Sequence, residues 1–437
     1  MGIIKRMHWI FGKIRRYPLR IFAAETWRWS RYRWQARRDR MQGDFGRAVR
    51  EGQDAQAIGL GMELLQRFPA DGEIRQRFCE LLKRQGDRDE ASQQLRVYLE
   101  GLYGPGLEQM TSRILEKAGM TAGQAQVSYS LKTGHMNLGF VEYRKHPEDP
   151  EPCCITKLCP LSGTGRAHWD KETFFYGMLR EAYSRLQDIT PELVDVFADE
   201  ENKIGWLTLG FVSGKKPGMQ VVPGLLQAAG VIGSIPGREV LRLMEADPGM
   251  RRHTPYLRWM TKTSHLQWTT DLITDLANRP NCPPDGPALA RRVDRVVRLT
   301  GMVGQMHRKN RWVLSHGDFG IHNLLGRHES HQPVIIDWTS FGLGYRGEGL
   351  PAVFLHLGMD YHDMLRLYLD MEAYDPRTAP DPAEHMFFQL DVVLSALKSL
   401  ARKQAGKEDC EELFTGVIRP AVGDLERESR DMGGAGT

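Results

Sequence analysis

Two short apolar runs, each ending in or beside a carboxylate, constrain this chain more than any other feature. They are Trp312-Val-Leu-Ser-His-Gly-Asp-Phe-Gly-Ile-His-Asn-Leu-Leu325 and, a short way on, Pro333-Val-Ile-Ile-Asp-Trp338. Between them they bracket a loop offering one Asp, one Asn and several glycines, a layout for holding a metal-bound phosphate.

A chain of 437 residues exceeds one ordinary domain and is expected to hold two or three units. With 41% apolar and 26% charged residues it can bury a sizeable core. The net charge of +4 hides an asymmetry: residues 1–40 carry twelve Lys or Arg against only Glu25 and Asp39, so the rest of the chain is net acidic. A basic head on an acidic body points to a separate anionic partner for the head. Six scattered cysteines without a secretory leader fit a reducing, cytoplasmic setting and argue against a disulfide framework. The group Cys153, Cys154 and Cys159 lacks the second ligand pair of a thiolate metal site and reads as buried strand residues. No run approaches the roughly 18 apolar residues that span a bilayer.

Residues 1–40 interleave cations with Trp9, Phe11, Phe22, Trp27, Trp29, Tyr32 and Trp34. Two readings stand. Tryptophan beside arginine suits a lipid headgroup layer, which would make the protein peripheral on the cytoplasmic face of an anionic membrane. Alternatively, the apolar side packs on the next domain while the arginines stay solvated. No nucleic-acid partner is expected, because nothing else in the chain reads as such a module. Residues 41–120 turn helical, with Ala57, Leu64 and Leu65 matching Ala91, Tyr98 and Leu99, and Gly52 matching Gly86, at a separation of about 34 residues. That resembles a tetratricopeptide pair, although two units are few for such an array.

A third segment, 121–217, alternates strands and turns. Strands are expected at 125–131 and 138–144 around the turn Lys132-Thr-Gly-His-Met-Asn137, then at 153–158 with Lys157 among apolar neighbours. A helix follows at about 168–186 carrying Glu172, then a hairpin of 193–197 and 203–212. Nearly everything in 218–437 outside the two opening runs is helical in pattern, including 286–308.

The order of these parts is a glycine turn between strands, a lysine in the third strand, a glutamate in the next helix, a hinge, a helical lobe, His-Gly-Asp and Asn, then Ile-Asp-Trp. Over roughly residues 125–400 it resembles the aminoglycoside phosphotransferase and choline kinase-like branch of the protein-kinase fold. The resemblance implies an α+β, bilobal fold, a small β-rich lobe and a helical lobe, here preceded by an all-α segment. Phosphoryl transfer is mostly positioning and charge neutralisation. Asp318 can orient an acceptor hydroxyl and take its proton. Asn323 and Asp337 offer the hard oxygen ligands that magnesium prefers, with phosphates and water completing the shell. The resemblance sets Lys157 against nucleotide phosphates, with Glu172 holding it extended. It makes the turn of Gly134 and Asn137 the place for backbone contacts to phosphate, and it gives Gly210, Phe211 and Val212 the backbone contacts to the base. His316 is expected to brace the catalytic loop; the role of His322 stays open. Where the family shows Asp-Leu-Ala, this chain has Glu348-Gly-Leu350, which puts the packing of the following helix in question.

The expected function is therefore ATP- and Mg2+-dependent transfer of a phosphoryl group to a hydroxyl of a small molecule such as a sugar, an aminoalcohol or an envelope-lipid precursor. Acidic residues such as Glu245, Asp247, Asp271, Asp275, Asp360, Asp363 and Asp370 can meet a cationic acceptor or simply form solvated helix faces. The alternative is a catalytically silent pseudokinase scaffold whose repeats and basic head recruit partners at a membrane. Loss of Lys157, Asp318, Asn323 or Asp337 would mark that case, and all four are present.

Overall fold

The computed structural model describes residues 38–67, 74, 77–78, 81–82, 95–96, 99–100, 103–121, 123–130, 137–161, 163–215, 218–253, 285–300, 311–327, 332–373, 382–402 and 407–434. The basic segment 1–37, the matched positions Gly86, Ala91 and Tyr98, the turn 131–136 with Gly134, and residues 254–284 with Asp271 and Asp275 lie outside them. The chain divides into two units, 1–115 with 126–142, and 116–125 with 143–437.

The first unit holds helix α1 (38–50), α2 (Asp54–Arg67), most of α3 (Gly106–Lys117), β1 (Gln126–Ser130) and most of β2 (Gly139–Arg144). Ala57 and Leu64, two turns apart on α2, are both fully buried, the stripe an amphipathic helix needs. Phe45, Phe78, Leu95 and Leu99 are buried as well.

In the second unit β3 (Cys154–Pro160) lies antiparallel to β5 (Ile204–Gly210), which pairs on its other edge with β4 (Leu193–Asp199). Successive side chains on a strand point to opposite faces. Thr156 accordingly meets Thr208 (2.7 Å) and the Tyr143 hydroxyl (3.2 Å) on one face, while Lys157 and Cys159, opposite Leu207 and Gly205, take the other. Helix α4 (Gly163–Phe174) crosses that second face. Its Trp169 ring fills the space over Gly205, where a Cβ would lie 2.5 Å from the indole. A glycine is therefore required for the helix to approach this closely. The helix begins earlier than expected and continues through a single π turn, Phe175–Leu179, and a short segment to Ala182.

The rest is largely helical. Helix α5 (Val222–Gly233) contains no charged residue and is buried around most of its circumference, so it serves as a central core helix. The turn joining it to α6 (Gly237–Ala246) hydrogen-bonds to β7 (Val313–Ser315): Leu314 N–H donates to Ile235 O at 2.9 Å, and Gly237 N–H donates to Trp312 O at 2.7 Å. Short strands β6 (Gly214–Lys215), β8 (Leu324–Arg327) and β9 (Pro333–Ile335) form a second sheet, and β7 pairs with β10 (Gly342–Gly344). Helices α7 (Gly286–Thr300), α8 (Leu350–His356), α9 (Tyr361–Ala373), α10 (Pro382–Arg402), α11 (Lys407–Leu413) and α12 (Arg419–Gly434) follow among the described residues. A small antiparallel sheet crossed by one helix and followed by a helical region is the α+β arrangement expected. No helix among the described residues is long and apolar enough to cross a membrane.

Candidate active site

Three carboxylates and a lysine from distant parts of the second unit assemble around the paired strands. Lys157 is buried, with 8% of its surface exposed, and its Nζ donates to Glu172 Oε2 at 2.7 Å and to Asp337 Oδ1 at 3.0 Å. Glu172 stands three residues beyond Trp169, so the indole that fixes the helix over Gly205 also fixes the carboxylate on the same helix face. Burial pulls the Lys157 ammonium toward its neutral form, but the charges of Glu172 and Asp337 outweigh that, and its pKa stands above the ordinary lysine value. The amine is held charged between the two carboxylates.

The loop that carries Asp318 begins at the end of β7. His316 is almost fully buried, its Nε2 donating to Ile336 O at 3.0 Å while its Nδ1 accepts the Asp318 N–H at 3.3 Å. That pairing fixes the neutral tautomer with the proton on Nε2 and ties the loop to the residue before Asp337. Gly317 has φ +77, and a Cβ there would lie 2.0 Å from Ser340 O, so the loop can turn here only with glycine. Asp318 follows, half exposed. Its Oδ2 accepts from His322 Nε2 and from Asn323 Nδ2, both at 3.2 Å, and its backbone carbonyl takes the same Asn323 amide at 3.0 Å. With Nδ2 committed to Asp318, the Oδ1 end of Asn323 is the one that can face a cation.

Strand pairing carries Asn323 to Asp337. Leu324 pairs with Ile335, and Ile336 N–H donates to Asn323 O at 3.0 Å. Asp337 then adopts a left-handed conformation, φ 63 and ψ 62, uncommon for a residue with a side chain although Asp tolerates it best. Such a backbone costs on the order of 1–3 kcal/mol and persists only where its surroundings impose it. Here they do. Trp338 stacks on Phe175 with ring centroids 3.8 Å apart, and Phe341 stacks on Phe174 at 5.9 Å. The π turn starting at Phe175 lets both consecutive rings meet the loop after Asp337. The helix carrying Glu172 and the loop carrying Asp337 are thus bolted together by aromatic faces. Thr339 Oγ1 adds a donor to Asp337 Oδ1 at 2.9 Å.

Beside Asp318 opens a cavity of about 400 Å³, lined by Ala167, His168 and Lys171 of α4 on one side and by Gly317, Asp318, Thr339 and Ser340 on the other. Among the described residues no group of three or more His, Cys, Asp or Glu could hold a metal by itself. Two oxygen ligands, Asn323 Oδ1 and Asp337, match an ion that arrives with phosphates and keeps water, as magnesium does.

The remaining expected residues are placed as follows. Asn137 is half-buried just ahead of β2. Gly210 ends β5, three residues past Leu207, the partner of Lys157, which is roughly 10 Å along the strand. Gly210 N–H donates to Glu192 O at 2.8 Å and Phe211 N–H to Cys153 O at 2.9 Å, so two of the three amides of Gly210, Phe211 and Val212 are used inside the protein. Glu348 is buried and stands against Gly344, while the neighbouring Gly349 N–H and the Tyr345 hydroxyl both donate to Asp391 Oδ2, at 3.0 and 2.7 Å. Asp391 of α10 thus tethers the loop that precedes α8. Sequence reasoning missed Asp391, the Phe174–Phe175 pair, His168 and Lys171. Of these, only the rings carry a local sign, two adjacent aromatics inside a helix. Asp247 and Asp360 accept from the amides of Met250 and Asp363, Asp363 pairs with Arg366, and none of these lines the cavity.

No protein-family model and no curated protein matches the chain. Among solved structures it is similar to the microcompartment-associated aminopropanol kinase, at 14% identity over 74% of this chain and 98% of that one, with a TM-score of 0.45. It is also similar to a GDP complex of a mutant aminoglycoside 2'-phosphotransferase IIIa, at 14% identity over 75% and 99%, with a TM-score of 0.42. An aminoglycoside phosphotransferase from Streptomyces rimosus, in complex with ADP and streptomycin, aligns at 14% identity over 66% and 97%, with a TM-score of 0.37. The chemistry of the site rests on the side-chain geometry above.

Proposed function

We propose that the chain is a magnesium- and ATP-dependent phosphotransferase acting on a hydroxyl of a small molecule. One observation carries the proposal: a buried lysine amine bridges Glu172 and Asp337 at 2.7 and 3.0 Å, one strand pairing away from an aspartate and an asparagine joined by hydrogen bonds. Lys157 supplies charge to the nucleotide phosphates and Glu172 keeps it in place. Of the hinge, Val212 N–H is left to meet the base. Asn323 Oδ1 and Asp337 would hold magnesium, which when bound draws charge from the phosphate oxygens. Asp318 Oδ2 is tied to His322 and Asn323, so Oδ1 faces the acceptor. It orients the hydroxyl and takes its proton as the acceptor oxygen bonds to phosphorus and the bridging bond to ADP breaks.

Thermal unfolding with and without magnesium and ATP tests this reading. A ligand that binds only the folded chain, at about a hundred times its Kd, stabilises it by about 2.7 kcal/mol. The expected result is an upward shift that needs both components and is lost in Asp337→Ala. No shift at millimolar magnesium and ATP would sink the proposal in favour of a scaffold.

A further inference from the structure

The wall of the cavity opposite Asp318 has a chemistry that the transfer reaction itself does not require. On α4, Lys171 follows Ala167 by four residues and His168 by three, so the three side chains share one wall of the cavity, with His168 also one turn from Glu172. Lys171 is half-buried; its Nζ lies 3.4 Å from Phe341 O and 5.9 Å from the centre of the Phe341 ring, contacts that hold the amine at the cavity rim. Burial lowers its pKa, as expected for a cation drawn partly out of water. His168 lines the same wall, and its Nδ1 is buried with no hydrogen-bond partner among the described residues. A buried N–H with no acceptor is the costlier state, so the neutral ring keeps its proton on Nε2 and offers a donor. Ser340 adds a hydroxyl. The cavity therefore sets an ammonium and an imidazole across from one carboxylate, with the Ser340 hydroxyl on the carboxylate's side.

We propose that His168 and Lys171 form an anion subsite that selects acceptors carrying a phosphate or carboxylate group beside the hydroxyl that Asp318 activates. The site is ill-suited to a polycationic acceptor, whose amines would meet Lys171. The proposal rests on the phosphotransferase reading for the identity of the bound molecule as an acceptor, and it is tested by binding, independently of turnover. The nucleotide is the other source of phosphate, and the arms of the test separate the two.

The full-length protein, with saturating magnesium ADP, is titrated calorimetrically with glycerol, glycerate and glycerol 3-phosphate, and separately with magnesium ADP alone. Glycerate and glycerol 3-phosphate are expected to bind at least about tenfold more tightly than glycerol. Lys171→Met and His168→Gln should each erase most of that difference, and Lys171→Arg should keep it, with magnesium ADP affinity unchanged in all three. Unchanged thermal unfolding in Lys171→Met and His168→Gln guards against reading a folding defect as lost binding. Equal binding of glycerol and its anionic derivatives, no binding of either anion, or a loss of magnesium ADP affinity in Lys171→Met would each overturn the subsite. Absence of ADP release with every acceptor would instead overturn the phosphotransferase reading and leave these binding curves as they are.

Discussion

Two charged clusters lie side by side in this protein and are built in opposite ways. Around Lys157 the side chains of Lys157 and Glu172 are 10% and 1% exposed, and the ions neutralise one another out of water. Around Asp318 the carboxylate and its His322 partner are 48% and 60% exposed, and their hydrogen bond competes with solvent. A buried pair loses heavily when one partner is removed, because the other charge is stranded; an exposed pair contributes little to stability. The first cluster is therefore architecture as well as chemistry. The second can change state at little structural cost, as the proton-accepting role proposed for Asp318 requires.

The widest separation between the clusters should appear on replacing their central residues. Asp318→Asn is expected to reduce acceptor-dependent ADP release by about a thousand-fold, while its denaturation midpoint stays within about 0.5 kcal/mol of wild type; a matching loss of stability would erase the distinction. Lys157→Met, by contrast, strands Glu172 and should destabilise the fold by about 3 kcal/mol in urea unfolding. A change under about 1 kcal/mol would mean that the buried pair is not holding the helix. Next comes Gly317→Ala, where the added Cβ would meet Ser340 O at 2.0 Å in a left-handed turn. About 2 kcal/mol of destabilisation is expected there, with activity falling as the loop shifts. His322→Ala removes only an exposed bond to Asp318 and should slow turnover by about tenfold or less, with stability unchanged.

The smallest effect is a pH dependence. Burial, then the charges of Lys171 and Lys157, lower the His168 pKa, against a weaker opposing pull from Asp337. The folded protein thus binds fewer protons at this ring than the unfolded chain does. The associated stability is complete above the unfolded pKa of about 6.5 and is lost as pH falls through the folded value. Urea midpoints at pH 7.5 and pH 5.5 should accordingly fall further for wild type than for His168→Gln.

The parts of the site that could be read in the sequence are those in which residue type and spacing act locally. Asp318, Asn323 and Asp337 sit on or beside short apolar strands that deliver them, and Lys157 interrupts an apolar strand in a way that demands a partner. Glu172 carries no local sign of its own and enters only through the resemblance, which sets a glutamate of the next helix against the strand lysine. The clamp between Phe175 and Trp338 was not, since its partners meet only through tertiary packing and a π turn that leaves no periodic mark. His168 and Lys171 look like ordinary helix surface until the cavity is seen in front of them. The helix start was misplaced toward residue 168 because Gly163 and Gly165 weigh against a helix by propensity; packing overrides that, with Gly165 seated against Pro160.

Whether this cluster moves a phosphoryl group is decided by following label from γ-labelled ATP to a panel of hydroxylated small molecules. With magnesium present, label is expected to pass to the hydroxyl of at least one acceptor in wild type and to none in Asp318→Asn, while both proteins still bind magnesium ATP. Label moving equally well in Asp318→Asn, or staying on ATP across the whole panel in wild-type protein that binds it, would overturn the phosphotransferase proposal.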